Sequence, residues 1–235
     1  MTEEQFKFEL SKLEIEITPN QLEQFKLYYN LLIEWNKKIN LTAITVKEEV
    51  YLKHFYDSAT LIKAIDLNKV ENLCDVGSGA GMPGIVLKIL FPKLKVVLID
   101  SLNKRIKFLE EVIEQLKLID IIALHDRAEN IALKQRERFS VVTARAVAPL
   151  NILSEYCLPL VKKHGYFIPM KGDISQEIKG LADVFKKLGS DKITTIEFLL
   201  PNENSRRTLL KIQKTETTNL KYPRKFADIK KKPLI

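Results

Sequence analysis

The chain has 235 residues, 46% of them hydrophobic, with a formal net charge of +8, which suits one sizeable core with an appendage. Eight glycines and nine prolines exclude a low-complexity chain, and no apolar run reaches the ~20 residues of a membrane span. The start, Met1-Thr-Glu-Glu-Gln, is acidic rather than a basic signal region, so a cytoplasmic protein with no membrane partner is expected.

Residues 1–20 carry five Glu and two Lys, whereas residues 221–235 carry six Lys or Arg against Asp228. That basic tail is either a solvated, disordered end or a phosphate contact. Thr18-Pro19-Asn20 reads as a helix start, with Thr or Asn as cap and Pro in the first turn. Leu22, Phe25, Tyr29, Leu32 and Asn36 then step by three and four, the spacing of one amphipathic face. A second helix is expected over 47–65, so residues 1–68 form a helical extension. Cys74 and Cys157 have neither metal nor redox spacing and read as small buried hydrophobes; no metal site is expected.

Beyond residue 69 strand candidates at 71–76, 95–100, 119–124, 139–144 and 166–170 alternate with helical stretches, notably 104–118 and 151–162. Strands alternating with helices imply a parallel sheet covered on both faces. Runs 192–200 and 206–215 are divided by Pro201-Asn-Glu-Asn-Ser205, too short for a crossover, and predict an antiparallel hairpin. The fold expected is α/β: a doubly wound, Rossmann-like sheet over 69–220, mostly parallel with a C-terminal hairpin, followed by the basic tail 221–235.

The most informative segment is Asp75-Val-Gly-Ser-Gly-Ala-Gly-Met-Pro-Gly84, a glycine turn between a strand and a helix. Such a turn brings backbone N–H groups against a nucleotide. A dinucleotide fingerprint would place its third glycine at Met82. The spacing Gly77-x-Gly79-x-Gly81 after Asp75 instead resembles motif I of the class I S-adenosylmethionine methyltransferases. Asp100, 21 residues after Gly79, lies at the end of the next strand, where it can accept from ribose hydroxyls. Glu129 is placed either to accept from an adenine amino group, with Ala128 offering its N–H, or to cap a helix.

Ligands of open α/β sheets bind at the carboxyl ends of strands, which here are Gly77–Met82, Asp100–Ser101, Asp126–Glu129, Thr143–Ala146 and Lys171–Gly172. Methyltransferases acting on exocyclic amines usually carry an Asn/Asp-Pro-Pro-aromatic motif after the fourth strand; this chain has Thr143-Ala144-Arg145-Ala146. No cysteine is placed to attack a pyrimidine. An acceptor with a free lone pair, such as guanine N7, needs positioning more than a base. Arg145 ends a buried strand and requires a partner, expected to be a bound anion such as the cofactor carboxylate or an RNA phosphate. Lys104 and Arg105 open a helix against the dipole preference. His54 and Asp57, at i and i+3, either bond to each other or face substrate.

In order along the chain, Trp35-Asn36 through Asn40-Leu41-Thr42, His54-x-x-Asp57-Ser58, Asp75–Gly84, Asp100-Ser101-x-x-Lys104-Arg105, Arg127-Ala-Glu129, Ala144-Arg145-Ala146, Met170-Lys171-Gly172 and Tyr222-Pro223-Arg224 resemble the small-subunit rRNA guanine-N7 methyltransferases, also called glucose-inhibited division protein B. The resemblance implies transfer of methyl from S-adenosyl-L-methionine to N7 of one guanine, guanine 527, in 16S rRNA or a small-subunit precursor, with no obligate protein partner evident. It assigns Asp75, Gly77, Gly79, Gly81, Met82, Asp100, Ser101, Leu102, Ala128, Glu129 and Arg145 to the cofactor. Asn40, His54, Asp57, Ser58, Lys104, Arg105, Lys171 and Arg224 fall to the RNA side, with Arg145 and Lys171 as positioning residues. Phe226-Ala-Asp-Ile229 interrupts that family's Gly- and Pro-containing tail. Competing readings are a methyltransferase for a small molecule or protein, a non-catalytic RNA-binding assembly factor, and a dehydrogenase.

Overall fold

The computed structural model describes residues 1–203 and 205–235; Asn204, within the predicted hairpin turn, lies outside the described residues. Seven strands form one sheet in the order β3-β2-β1-β4-β5-β7-β6. They are β1 (Asn72–Val76), β2 (Lys95–Asp100), β3 (Ile121–His125), β4 (Phe139–Arg145), β5 (Val161–Lys171), β6 (Ser190–Leu199) and β7 (Arg206–Lys214). The first five run parallel, and β7 pairs antiparallel with both β5 and β6. The order reverses between β1 and β4, where a ligand crevice opens.

Both faces are covered. On one lie α1 (Glu3–Ser11), α2 (Pro19–Asn36), the segment 47–63, α5 (Gly84–Leu90) and α6 (Asn103–Gln115); on the other lie α7 (Ala128–Lys134), α8 (Leu150–Cys157), α9 (Leu181–Lys187) and α10 (Phe226–Lys231). Segment 47–63 is a continuous rod made of α3 (Lys47–Val50), a widened turn at Tyr51–Tyr56, α4 (Asp57–Ala59) and a tight turn at Thr60–Lys63. No helix of the described residues is long and apolar enough to cross a membrane.

Local signals account for most boundaries. Thr18 caps α2 by accepting from Gln21 N while Gln21 Oε1 accepts from Thr18 N, the reciprocal capping box, with Pro19 as first helical residue. The helix expected at 151–162 ends at Cys157, because Pro159 permits only a tight turn and Val161 already begins β5. The buried stripe of α2 is Gln21, Phe25, Tyr28 and Leu32, one residue out of phase with the expected Leu22 and Tyr29. Gln21 is drawn in because its amide donates to the Ile89 carbonyl at 2.6 Å.

Tyr28 thereby joins Phe6, Phe25, Tyr51 and Phe55, all fully buried, in an aromatic cluster where Phe55 lies 4.9 to 6.4 Å from each other ring centroid. Edge and offset pairs of this kind add roughly 0.5–1.5 kcal/mol each beyond burial. The helical layer is therefore fastened to the sheet by the same rings that position Tyr28. Replacing Phe55 by Ala is expected to lower the unfolding free energy by about 3–5 kcal/mol, read by urea denaturation; a loss below 1 kcal/mol would show that the cluster does not hold this layer.

Candidate functional site

The turn after β1 carries positive φ at Gly77 (71°), Gly79 (58°) and Gly81 (89°), a region where a Cβ is strained. Space forbids one as well: at Gly77 it would meet Val147 Cγ2 at 2.5 Å, and at Gly81 the Tyr28 hydroxyl at 2.7 Å. Gly77 N and Ser78 N donate to the Ile99 carbonyl, and Gly79 N donates to Asp100 Oδ2 at 2.9 Å. From the helical layer Tyr28 Oη donates to the Ala80 carbonyl.

Asp75 works from below. Fully buried, it accepts from Gly84 N through Oδ2 at 2.9 Å, tying the exit of the turn back to β1, while Oδ1 has no donor. Burial pushes its carboxyl up to about 7. It forms no part of the cavity walls described next, so its position is beneath the turn rather than on the ligand.

Three cavities adjoin at the carboxyl ends of the strands. The first, of about 490 Å³, is walled by Gly77, Asp100, Glu129, Val147, Ile152 and Tyr156 among others. Asp100 is pre-set there: Oδ1 accepts from Leu102 N at 2.9 Å, and Oδ2 takes Arg105 at 3.3 Å as well as Gly79 N. Glu129 Oε1 is buried without a hydrogen bond, its nearest cation being Arg127 at 4.0 Å. A buried acceptor lacking a donor costs about 1–3 kcal/mol, so the cavity presents an unmet demand that a hydroxyl or amino group would satisfy. A largely apolar slot with three carboxylates, Asp100, Asp126 and Glu129, on its wall fits adenosine. Ser101 and Ala128 line the same slot, while Leu102, 42% exposed, is not among the residues lining any of the three cavities.

The second cavity, about 240 Å³, lies over Gly77, Gly79 and Met82 and reaches Thr42, Arg105 and Arg145. The third, about 340 Å³, holds Lys53, His54, Asp57, Arg145, Lys171 and Arg207. Gly77 is common to the first two, and His54, Arg145 and Ala146 to the last two. Ala146 has φ of 56°, a left-handed conformation costing about 1 kcal/mol or more in a non-glycine residue, at the junction of the cavities.

Arg145 finds its partner within the protein. Its Nη1 lies 3.3 Å from Asp57 Oδ2 and 3.2 Å from the Lys53 carbonyl, and Arg207 Nε donates to the other Asp57 oxygen at 3.1 Å. One carboxylate, 4% exposed, thus holds two guanidinium groups, in place of the expected bound anion. His54 does not bond to Asp57. Its Nε2 meets Thr42 Oγ1 at 2.8 Å and its Nδ1 the Lys53 carbonyl at 3.2 Å, which places the proton of the neutral ring on Nδ1. Burial, and then Arg145, pull its pKa down to about 4. Lys171 donates to the Ala148 carbonyl and to Glu177, each at 2.9 Å.

Other predicted positions fall elsewhere. The Ser58 hydroxyl is buried and donates to the His54 carbonyl four residues back, so it faces the rod's interior rather than RNA. Asn40 and Lys104 are exposed and outside the cavities. Arg224 clasps buried Glu155 through Nε at 2.8 Å and Nη2 at 2.6 Å, which fastens the tail to α8. Sequence reasoning did not single out Tyr28 or Arg207, and it named Asn36 only on the amphipathic face and in a family motif. Asn36 shapes the loop over the site, its Oδ1 accepting from Leu41 N and Thr42 N.

With this geometry in hand, the family model described as rRNA small subunit methyltransferase G (GidB) matches residues 21–209. The chain belongs to that family. A Ribosomal RNA small subunit methyltransferase G of Bacillus subtilis is 48% identical over all of this chain and 99% of its own, and one of Macrococcus caseolyticus is 49% identical over the whole of both. Among solved structures, a SAM-dependent methyltransferase of Aquifex aeolicus superposes with TM-score 0.54 at 16% identity, covering 78% of this chain and 98% of that one. TYW2 of M. jannaschii, solved with AdoMet, gives 0.51 at 16% identity over 66% and 73%. The fold is the Rossmann-like class I methyltransferase fold, and the cofactor is S-adenosylmethionine.

Acid should unsettle this family's site through His54. An unfolded histidine titrates near 6.5 and the folded one near 4, so the stability contributed by the neutral ring is present above about 6.5 and is lost as pH falls toward 4. Chemical denaturation across that window should show a steeper loss for wild type than for His54→Gln. Parallel curves would exclude His54 as the cause.

Proposed function

We propose that the chain transfers the methyl group of S-adenosylmethionine to N7 of a single guanine, guanine 527 by resemblance, in 16S rRNA or a small-subunit precursor in the cytoplasm. The observation that carries this reading is that the cavity over the glycine turn links the other two, sharing Gly77 with the first, where Asp100, Asp126 and Glu129 stand, and Arg145 and Ala146 with the third, lined by four cationic side chains. Carboxylates favour a cationic donor, and guanidinium and ammonium groups favour a phosphate-bearing acceptor.

The residues assigned to the donor are Gly77, Gly79 and Met82 along the turn, Asp100 and Ser101 at the ribose, and Ala128 and Glu129 at the base. When bound, the cofactor supplies an electrophilic methyl group on a sulfonium. Guanine N7 offers a lone pair and carries no proton, so the protein's task is orientation and exclusion of water. The titratable groups of the acceptor cavity are already engaged: His54 by Thr42, Asp57 by Arg145 and Arg207, Lys171 by Glu177. Such engagement suits positioning rather than proton transfer. Arg145 and Arg207 share one anion and keep donors free, which suits them to a phosphate or to the guanine O6.

Small subunits from cells lacking this methylation, incubated with the protein and methyl-labelled cofactor, should take up one methyl group per particle. Reduction and strand scission specific for N7-methylguanine should map it to one 16S position. Label on another atom or another RNA would contradict the assignment.

A further inference from the structure

The family match ends at residue 209, yet the first cavity is not closed by residues within it. Phe226 and Lys230, from α10 in the basic tail, complete its wall. The tail is built to reach that place. Arg136 donates to the carbonyls of Thr218, Asn219 and Tyr222; Arg224 clasps Glu155; and Asn151 and Lys187 donate to the carbonyls of Leu234 and Ile235.

Within α10 the two apolar side chains divide the work. Ile229 is fully buried against the α8 face and serves as the anchor. Phe226, three residues earlier, is only half-buried and lines the cavity, and its ring packs against the Arg127 guanidinium, 4.1 Å from the ring centroid, with the Lys230 ammonium at 5.5 Å. A cation on the ring fixes its orientation. Arg127 immediately precedes Ala128 and Glu129, the residues read as facing the base, so the ring stands at the base end of the cavity. An aromatic side chain placed there can cover the π-face of a purine, an interaction that ordered anchoring makes available without further loss of freedom.

We infer that Phe226, set by Arg127, is a cofactor-binding residue: the tail forms the outer wall of the adenine compartment and the chain's cofactor site is incomplete without it. The inference rests on the reading that the first cavity takes the adenosine half of S-adenosylmethionine.

Isothermal titration of the full-length chain with S-adenosylhomocysteine tests it. Phe226→Ala should weaken binding about tenfold, and Phe226→Tyr should restore it to within about twofold, because the ring rather than the tail's fold is what matters. In methylation assays on undermethylated small subunits, Phe226→Ala should raise KM for the cofactor by a larger factor than it lowers kcat. Binding by Phe226→Ala equal to wild type overturns the inference and leaves the adenosine cavity standing. So does an equal loss in Phe226→Tyr. A wild-type chain that binds no S-adenosylhomocysteine overturns the cavity reading and the inference together.

Discussion

The site depends on a backbone turn that cannot hold its shape alone. Three glycines with positive φ leave the chain between β1 and α5 free to adopt many postures, and side chains from separate layers select one. Asp100, at the end of β2, takes the Gly79 N–H; Asp75, beneath the turn, takes that of Gly84; Tyr28, from the helical layer, donates to the Ala80 carbonyl. The aromatic cluster that fixes the N-terminal helices thus also fixes the loop proposed to receive the cofactor. Removing any one of these bonds leaves a buried polar group unpaired, so shape at the turn and stability of the layers are coupled.

Charge is distributed to match. The chain is basic overall, and the balance of charge differs between the cavities: Asp100, Asp126 and Glu129 line the first with Arg127 and Lys230 on its wall, whereas Lys53, Arg145, Lys171 and Arg207 line the third around the single carboxylate of Asp57. On the proposed reading, methyl transfer moves one positive charge from sulfur to guanine, so the total charge of the site is conserved while the donor side loses one unit and the acceptor side gains one. Asp57 keeps the guanidinium groups of Arg145 and Arg207 oriented before any RNA phosphate arrives, a form of preorganisation that lowers the cost of binding.

The glycine turn, the alternating strands and the hairpin were legible in the sequence because each is signalled by residues close together in the chain. All five strand-end loops named from the sequence line the cavities. What the sequence concealed depends on distant pairs. Tyr28 and Tyr29 are adjacent, and helical spacing cannot tell which one turns inward until Gln21 is seen to reach Ile89. Arg145 was expected to seek a bound anion, but its partner Asp57 comes from 88 residues away, and Arg207 reaches the same carboxylate across 150. Arg224 and Ser58 sit in motifs shared with the resembling family, but their side chains are spent on Glu155 and on the His54 carbonyl. The basic tail, open between disorder and phosphate binding on composition alone, is held by named bonds and turns Phe226 to the cavity.

If the turn is set from outside the nucleotide-binding unit, the Tyr28 hydroxyl should matter to a ligand it does not touch. Titrating S-adenosylmethionine into Tyr28→Phe, which keeps the ring in the aromatic cluster but leaves the Ala80 carbonyl without its donor, measures this directly. The account predicts affinity about tenfold below wild type, the equivalent of one hydrogen bond at about 1.4 kcal/mol, in a protein that still unfolds cooperatively. Wild-type affinity in that variant would contradict it.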